Sequence, residues 1–143
     1  MQIIICDIDN TVLKDGHDPM NNVIGWLHSR RKKYKIYFVT GRLESYRKHT
    51  EKQLKKAKID FYDGLIMNNK TIGERVQFKY ETAIRLNKDG KVAIAVENDE
   101  DAREAYKKAG IKLVYDPMDL SDDVLAKDVW GGSMIPRNGI GMI

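Results

Sequence analysis

Short apolar runs alternate with amphipathic stretches along most of the chain. "IIIC" (3–6), "IYFV" (36–39), "GLIM" (64–67), "KVAIAV" (91–96) and "KLVY" (112–115) are too short for helices and mostly rich in β-branched residues. They read as five strands. Between them the apolar positions fall at helical spacing. Residues 21–34 carry Val23, Ile24 and Leu27, and residues 43–57 place Leu43, Tyr46, Thr50, Leu54 and Ala57 on one face. A polar loop, "NNKTIGERV", precedes a third helix from Gln77 to Leu86 with Tyr80, Ala83 and Ile84. A fourth helix over 100–110 is closed by Gly110.

Strands this short and apolar, each returning through a helix, imply a parallel sheet covered on both faces. The expected fold class is α/β, a doubly wound three-layer sandwich with a five-stranded parallel sheet. The gap between Thr11 and the second strand has room for one helix, and that between Thr40 and Lys79 for a helix and a short strand. A separate cap domain fits in neither. The chain reads as one domain over 1–143, with 116–143 an irregular tail that ends in the Gly-rich "WGGSMIPRNGIGMI".

Bulk composition narrows the class without naming a task. A chain of 143 residues with 42% hydrophobic and 32% charged residues suits one folded domain rather than a disordered segment. No apolar run approaches the length of a membrane span. "MQIIICD" has neither the basic flank nor the cleavage site of a signal peptide, so the expected location is cytoplasmic, with no membrane contact. The single cysteine, Cys6, lies in an apolar run and reads as core packing. The net charge of +4 is mild, yet "RRKKYK" (30–35) and "KKAK" (55–58) concentrate it. Such stretches either oppose the dipole at a helix carboxyl end or contact phosphates.

A doubly wound sheet binds its ligands beyond the carboxyl ends of its strands. Asp7, Asp9 and Thr11 leave the first strand there, and Thr40, Gly41 and Arg42 the second. "ENDED" (Glu97, Asn98, Asp99, Glu100, Asp101) leaves the fourth, and Lys79 is placed to reach the same crevice. Taken singly, each has an ordinary explanation: a turn, a strand-to-helix junction, an acidic helix start, a surface lysine. Together they form a coherent chemistry. Carboxylates without Cys or His ligands favour a hard cation such as Mg²⁺. A hydroxyl, a glycine turn and a lysine hold a phosphoryl group. Asp7 can then act as nucleophile, and Asp9 as the acid that protonates the leaving oxygen and later activates water.

These residues resemble the motifs of the haloacid dehalogenase superfamily of phosphohydrolases. "DIDNT" is similar to its first motif, "FVTGR" to its second with Thr40 as phosphate-binding hydroxyl, and Lys79 in "QFKYE" to its third. "VAIAVENDEDAREAYKKAGI" resembles the fourth, with Glu97-Asn98 where many members have two aspartates. The resemblance implies Mg²⁺ held by Asp7, the main-chain carbonyl of Asp9, Glu97 directly and Asn98 through water, with Asp99 or Asp101 as substitutes. "YDGLIMNNKTIGERVQFK" is further similar to the phosphatase domain of polynucleotide kinase/phosphatases, which would make Arg75 a substrate-binding arginine beside Arg42. No G-x-x-x-x-G-K-[ST] loop occurs in these 143 residues, so they contain no kinase phosphate loop.

The expected function is therefore a Mg²⁺-dependent phosphomonoesterase acting through an aspartyl-phosphate, on a phosphorylated substrate such as a nucleic-acid or nucleotide 3′-phosphate. No obligate protein partner is evident. A small-metabolite phosphatase and a non-catalytic binding module on the same fold are the alternatives. A phospho-accepting receiver domain fits less well, because its acceptor follows a later strand.

Overall fold

The structure, a computed structural model, describes residues 1–120. The strands fall where the apolar runs place them. β1 (Gln2–Cys6) is followed by a two-stranded antiparallel hairpin of β2 (Leu13–Lys14) and β3 (Asp18–Pro19). α1 (Asn21–Arg30), β4 (Tyr34–Leu43), α2 (Arg47–Lys56), β5 (Gly64–Asn68), α3 (Arg75–Leu86), β6 (Val92–Val96), α4 (Glu100–Lys108) and β7 (Leu113–Tyr115) complete the order. The main sheet is parallel throughout, ordered β5-β4-β1-β6-β7. β1 sits at its centre, where the winding reverses, so its carboxyl end opens on the crevice such sheets offer to ligands.

Alternation along the strands builds two cores. Ile4 and Cys6 of β1, with Ile36 and Phe38 of β4, face a cluster that includes Val23, Trp26 and Leu27 of α1 and Leu54 of α2. Ile3 and Ile5, with Val39, face the other side against Phe78 and Ala83 of α3 and Tyr106 of α4. The two faces give the three-layer sandwich that the pattern predicts. Cys6 is fully buried in the first core, as its place in an apolar run implies. Among the described residues no helix is long and apolar enough to cross a membrane.

Several boundaries differ from the sequence reading, each for a physical reason. α1 ends at Arg30 because Tyr34 and Lys35 pair with Gln2 and Ile3 as the start of β4. Leu43 still belongs to β4 and Tyr46 to a 3₁₀ turn, so neither joins the face of α2 that buries Thr50 and Leu54. α3 starts at Arg75, two residues early, after a 3₁₀ turn whose Thr71–Glu74 capping box satisfies the first amides. The segment after Thr11 holds the hairpin as well as the single helix expected there. The tail begins with a 3₁₀ turn at Pro117–Asp119, and its remainder from 121 lies outside the described residues.

The basic stretch at 30–35 takes the helix-end role. Arg30 lies over the Trp26 ring at 4.1 Å and donates to the Trp26 carbonyl, while Arg31 donates to that of His28. It also joins α1 to the start of β4, at the amino end of the sheet and away from the crevice.

One buried polar group offers a test of packing. The Tyr106 hydroxyl is buried without a hydrogen-bond partner among the described residues. Removing an unpaired buried hydroxyl costs nothing in lost bonds. Tyr106→Phe should therefore leave stability unchanged or raise it by about 1 kcal/mol in urea unfolding, and a loss above that would show that the hydroxyl has a partner.

Candidate active site

Two carboxylates meet on one ammonium at the carboxyl end of β1. Lys79 Nζ lies 3.1 Å from Asp7 Oδ1 and 2.7 Å from Glu97 Oε1. Asp7 follows β1, and Glu97 follows the adjacent β6. Lys79 reaches them because it sits on the buried face of α3 with Phe78, Thr82 and Ala83. All three are nearly inaccessible: Asp7 is 4%, Lys79 5% and Glu97 0% exposed. Burial alone would lower the Lys79 pKa, but the charges of Asp7 and Glu97 outweigh it and hold the ammonium well above its ordinary value. Glu97 is pushed up to about 8 by burial and then by the neighbouring Asp7, with Lys79 opposing the rise. The Thr11 hydroxyl donates to Asp7 Oδ2 at 3.2 Å and fixes the second oxygen.

Asp9 is held differently. Arg42 Nε donates to Asp9 Oδ2 at 3.0 Å and its Nη2 to Oδ1 at 2.7 Å, a two-pronged pair. Arg42 Nη1 donates to Thr50 Oγ1 and Gln53 Oε1 of α2, and Nη2 also to the carbonyl of Gly16 in the hairpin. Gln53 Nε2 donates to that same carbonyl at 2.9 Å. The sequence reading places Arg42 at the substrate. In the structure every nitrogen of its guanidinium donates within the protein, tying the acid, the hairpin and α2 together. Gly16 makes the approach possible: its φ is +83°, and a Cβ there would stand 3.4 Å from Asp9 Oδ1.

The remaining candidates line or support the crevice. Thr40 is fully buried, and its hydroxyl accepts from the Arg42 amide at 3.1 Å. Gly41 packs directly on Arg75, where an added Cβ would lie 3.1 Å from Arg75 Cβ. Arg75 is exposed at the rim, with no hydrogen bond or ion pair among the described residues, so its guanidinium is open to a ligand. Asn98 lines the crevice beside Glu97. Asp99 instead caps α4 by accepting from the Ala102 amide, and Asp101 lies exposed in its first turn. Of the acids after β6, Glu97 alone joins the buried cluster. The crevice measures about 710 Å³.

The donor set can be weighed against a metal. Among the described residues no group of three His, Cys, Asp or Glu side chains could hold an ion alone. Mg²⁺ needs no such cage, since it takes one or two carboxylates and completes its shell with water and substrate phosphate. Asp7 and Glu97 are hard oxygen donors brought together on one side of a single lysine. Their mutual repulsion, visible in the raised Glu97, is what a divalent cation would relieve.

No protein-family model matches the sequence, and no curated protein does. Solved structures are similar in fold. A chain in the Pnkp1/Rnl/Hen1 RNA repair complex superposes with a TM-score of 0.68 at 23% identity, covering 81% of this chain. A second structure of that complex gives 0.69 at 24% identity over 80%. A haloacid dehalogenase-like family hydrolase from Streptococcus pneumoniae, SP0104, gives 0.57 at 11% identity, covering 80% of this chain and 84% of its own. The fold is haloacid dehalogenase-like. This chain spans 42% and 45% of the lengths of the two repair-complex chains.

Within that haloacid dehalogenase-like frame, sequence reasoning passed over several site residues. Asn68 is buried after β5 and donates to the carbonyls of Gly41 and Thr71, fastening the second-strand turn to the loop before α3. Gln53, Tyr46, His49 and the hairpin residues Asp15, Gly16 and His17 also line the crevice. The hairpin had a legible signal, the Asp15-Gly16 dipeptide, with both residues at positive φ. Tyr46 and His49 had none.

The raised Glu97 sets a pH dependence. Its folded pKa exceeds its unfolded one, so its favourable contribution is complete below about 4.5 and disappears as pH rises through about 8. Lys79 stays charged over this window. With chelator present, Tm should fall between about pH 5 and 9, and Glu97→Gln should flatten that decline. An equally steep profile in the variant would assign the effect to other groups.

Proposed function

We propose that the chain is a Mg²⁺-dependent phosphomonoester hydrolase that works through an aspartyl-phosphate on Asp7. The observation that carries this reading is the buried Asp7–Lys79–Glu97 cluster, with a second acid, Asp9, two residues beyond the nucleophile. Two carboxylates and a lysine desolvated at a strand end are costly unless they serve a ligand. Similarity in fold to a haloacid dehalogenase-like hydrolase supports the same chemistry.

In the proposed reaction an Asp7 oxygen attacks phosphorus, and the bond to the alcohol oxygen breaks. Asp9 supplies the proton that this oxygen takes up. Asp9 then removes a proton from water, which attacks the phosphoryl group, frees inorganic phosphate and restores Asp7. Lys79 offsets the charge between the nucleophile and the phosphate. Asp7 and Glu97 would hold Mg²⁺, with the Asp9 carbonyl and Asn98 completing its protein contacts. The ion would supply electrostatic stabilisation of the transferring phosphoryl oxygens. Both oxygens of Asp9 accept from Arg42 in the structure, so proton delivery requires one of these bonds to open. Arg42 is thus a positioning residue for the acid.

The substrate class we propose is a 3′-phosphate on a nucleic acid or nucleotide. The two similar chains belong to an RNA repair complex, and among the described residues the chain between β1 and α1 brings no more than a short hairpin to the crevice. Arg75, unpaired at the rim, suits a second phosphate.

Turnover should vanish in chelator and return with Mg²⁺. Asp7→Asn should abolish it, since an amide is no nucleophile, and Asp9→Asn should slow it roughly 10²–10⁴-fold, most with poor leaving groups. Glu97→Gln should raise the Mg²⁺ requirement more than Asp101→Asn does. Arg42→Lys should lower kcat on poor leaving groups more than on p-nitrophenyl phosphate. Full activity in Asp7→Asn on any phosphomonoester would overturn the mechanism.

A further inference from the structure

A groove of about 520 Å³ continues from the crevice between the hairpin and α2. The two share His17, His49 and Gln53, so they form one continuous depression. Its floor along α2 is ordered by helical spacing. His49, Gln53 and Lys56 of α2 recur at three- and four-residue intervals with Lys52 beside them, and Tyr46 precedes the helix in its 3₁₀ turn. Tyr46 stands at the crevice end and is 56% exposed, unusual for a large aromatic ring. Lys52 and Lys56, both exposed and in no ion pair among the described residues, stand farther along. The opposite wall is His17, Asp18 and Pro19 of the hairpin. Among the described residues Asp18 is the only acid lining the groove, and its Oδ1 lies 3.0 Å from His17 Nδ1, an ion pair when His17 is protonated.

We propose that this groove is the track for a single-stranded nucleic acid whose 3′-phosphorylated end enters the crevice; the assignment of the reacting end rests on the phosphatase reading. The arrangement has the two parts that strand binding needs. An exposed ring gives a base a face to stack on, and a row of cations follows the backbone phosphates. Residues 46 to 56, a 3₁₀ turn running into α2, span about 15 Å, enough for about four nucleotides at the 3.4 Å stacked spacing. The polarity is also fixed, with the ring next to the reacting end and the lysines upstream. The Arg42 and Gln53 bonds to the Gly16 carbonyl hold the two walls at a set separation. Ribose and deoxyribose strands present the same phosphates and bases, so both are compared in the test.

The experiment measures binding of a labelled 3′-phosphorylated hexanucleotide, RNA and DNA, to the full chain carrying Asp7→Asn, by fluorescence anisotropy over a salt series. Adding Lys52→Glu and Lys56→Glu should weaken binding roughly tenfold and make the salt slope shallower by about 1.4, the share of two phosphate contacts on a single strand. Lys32→Glu with Lys33→Glu changes the net charge equally at the far end of the sheet and should weaken it less than twofold. Tyr46→Ala should weaken binding at unchanged salt slope, because stacking releases no counterions. Equal weakening by the two charge reversals, or binding of the hexanucleotide no tighter than of a 3′-mononucleotide, would overturn the groove. Binding is read without turnover. Absence of phosphatase activity in the wild type would therefore remove the chemistry while the groove stood or fell on these titrations.

Discussion

The Lys79 ammonium shared by Asp7 and Glu97 is the contact around which the rest of the structure is arranged. It joins three elements that are distant in sequence: the end of β1, the end of β6 and the first turns of α3. Two carboxylates buried side by side repel, and burial disfavours both. One lysine satisfies them only if α3 presents it from its core-facing side. That requirement fixes the rotation of α3 on the sheet, so Phe78 and Ala83 enter the second core beside Lys79. A buried charge cluster of this kind adds little to stability, because desolvation opposes the Coulomb attraction. The raised Glu97, driven first by burial and then by Asp7, reflects incomplete compensation of two carboxylates by one lysine.

A second clamp depends on the first by adjacency. Asp9 lies two residues beyond Asp7, and Arg42 two beyond the buried Thr40. Fixing the ends of β1 and β4 therefore brings acid and guanidinium together. Arg42 then reaches outward to Thr50, Gln53 and the Gly16 carbonyl. The hairpin is only two residues per strand and has no core of its own. Leu13 of its first strand is buried in the first core, and its tip carbonyl accepts two side-chain bonds from the body of the domain. Asp9 is thereby tied to the hairpin that lines the crevice.

The fold and the position of the innermost site were legible in sequence for one reason: both follow from periodicity. Strand ends, and hence the crevice, are set by where apolar runs stop, so Asp7 and the acidic run after β6 could be placed together, while the choice of Glu97 within that run and the role of Lys79 rested on the motif resemblance. The chain around them was less legible because its structure is decided by side-chain contacts between segments. Arg42 read as a ligand for substrate, since nothing in "FVTGR" shows that Asp9, Thr50, Gln53 and Gly16 will occupy its donors. Leu43 and Tyr46 matched a helical face, but continuation of β4 to Leu43 moved them off it. The basic stretch at 30–35 could be either a helix end or a phosphate contact by composition. Topology decided it, because a helix that follows a parallel strand ends on the side of the sheet opposite the crevice.

Topology also separates the two kinds of basic residue in this chain. Charge at the end of α1 opposes a helix dipole and is partly drawn onto carbonyls and the Trp26 ring. Lys52 and Lys56 of α2 have no such partner among the described residues, although Lys56 also ends its helix, and they face a groove whose one acid, Asp18, lies beside His17. A net charge of +4 does not distinguish these cases. What distinguishes them is whether the cation is drawn onto neighbouring groups or stands beside an opening in the surface. α2 supplies both the bonds that anchor the hairpin, through Thr50 and Gln53, and the cations between it and the hairpin, through Lys52 and Lys56. One helix thus contributes to both the width and the charge of the groove that adjoins the crevice.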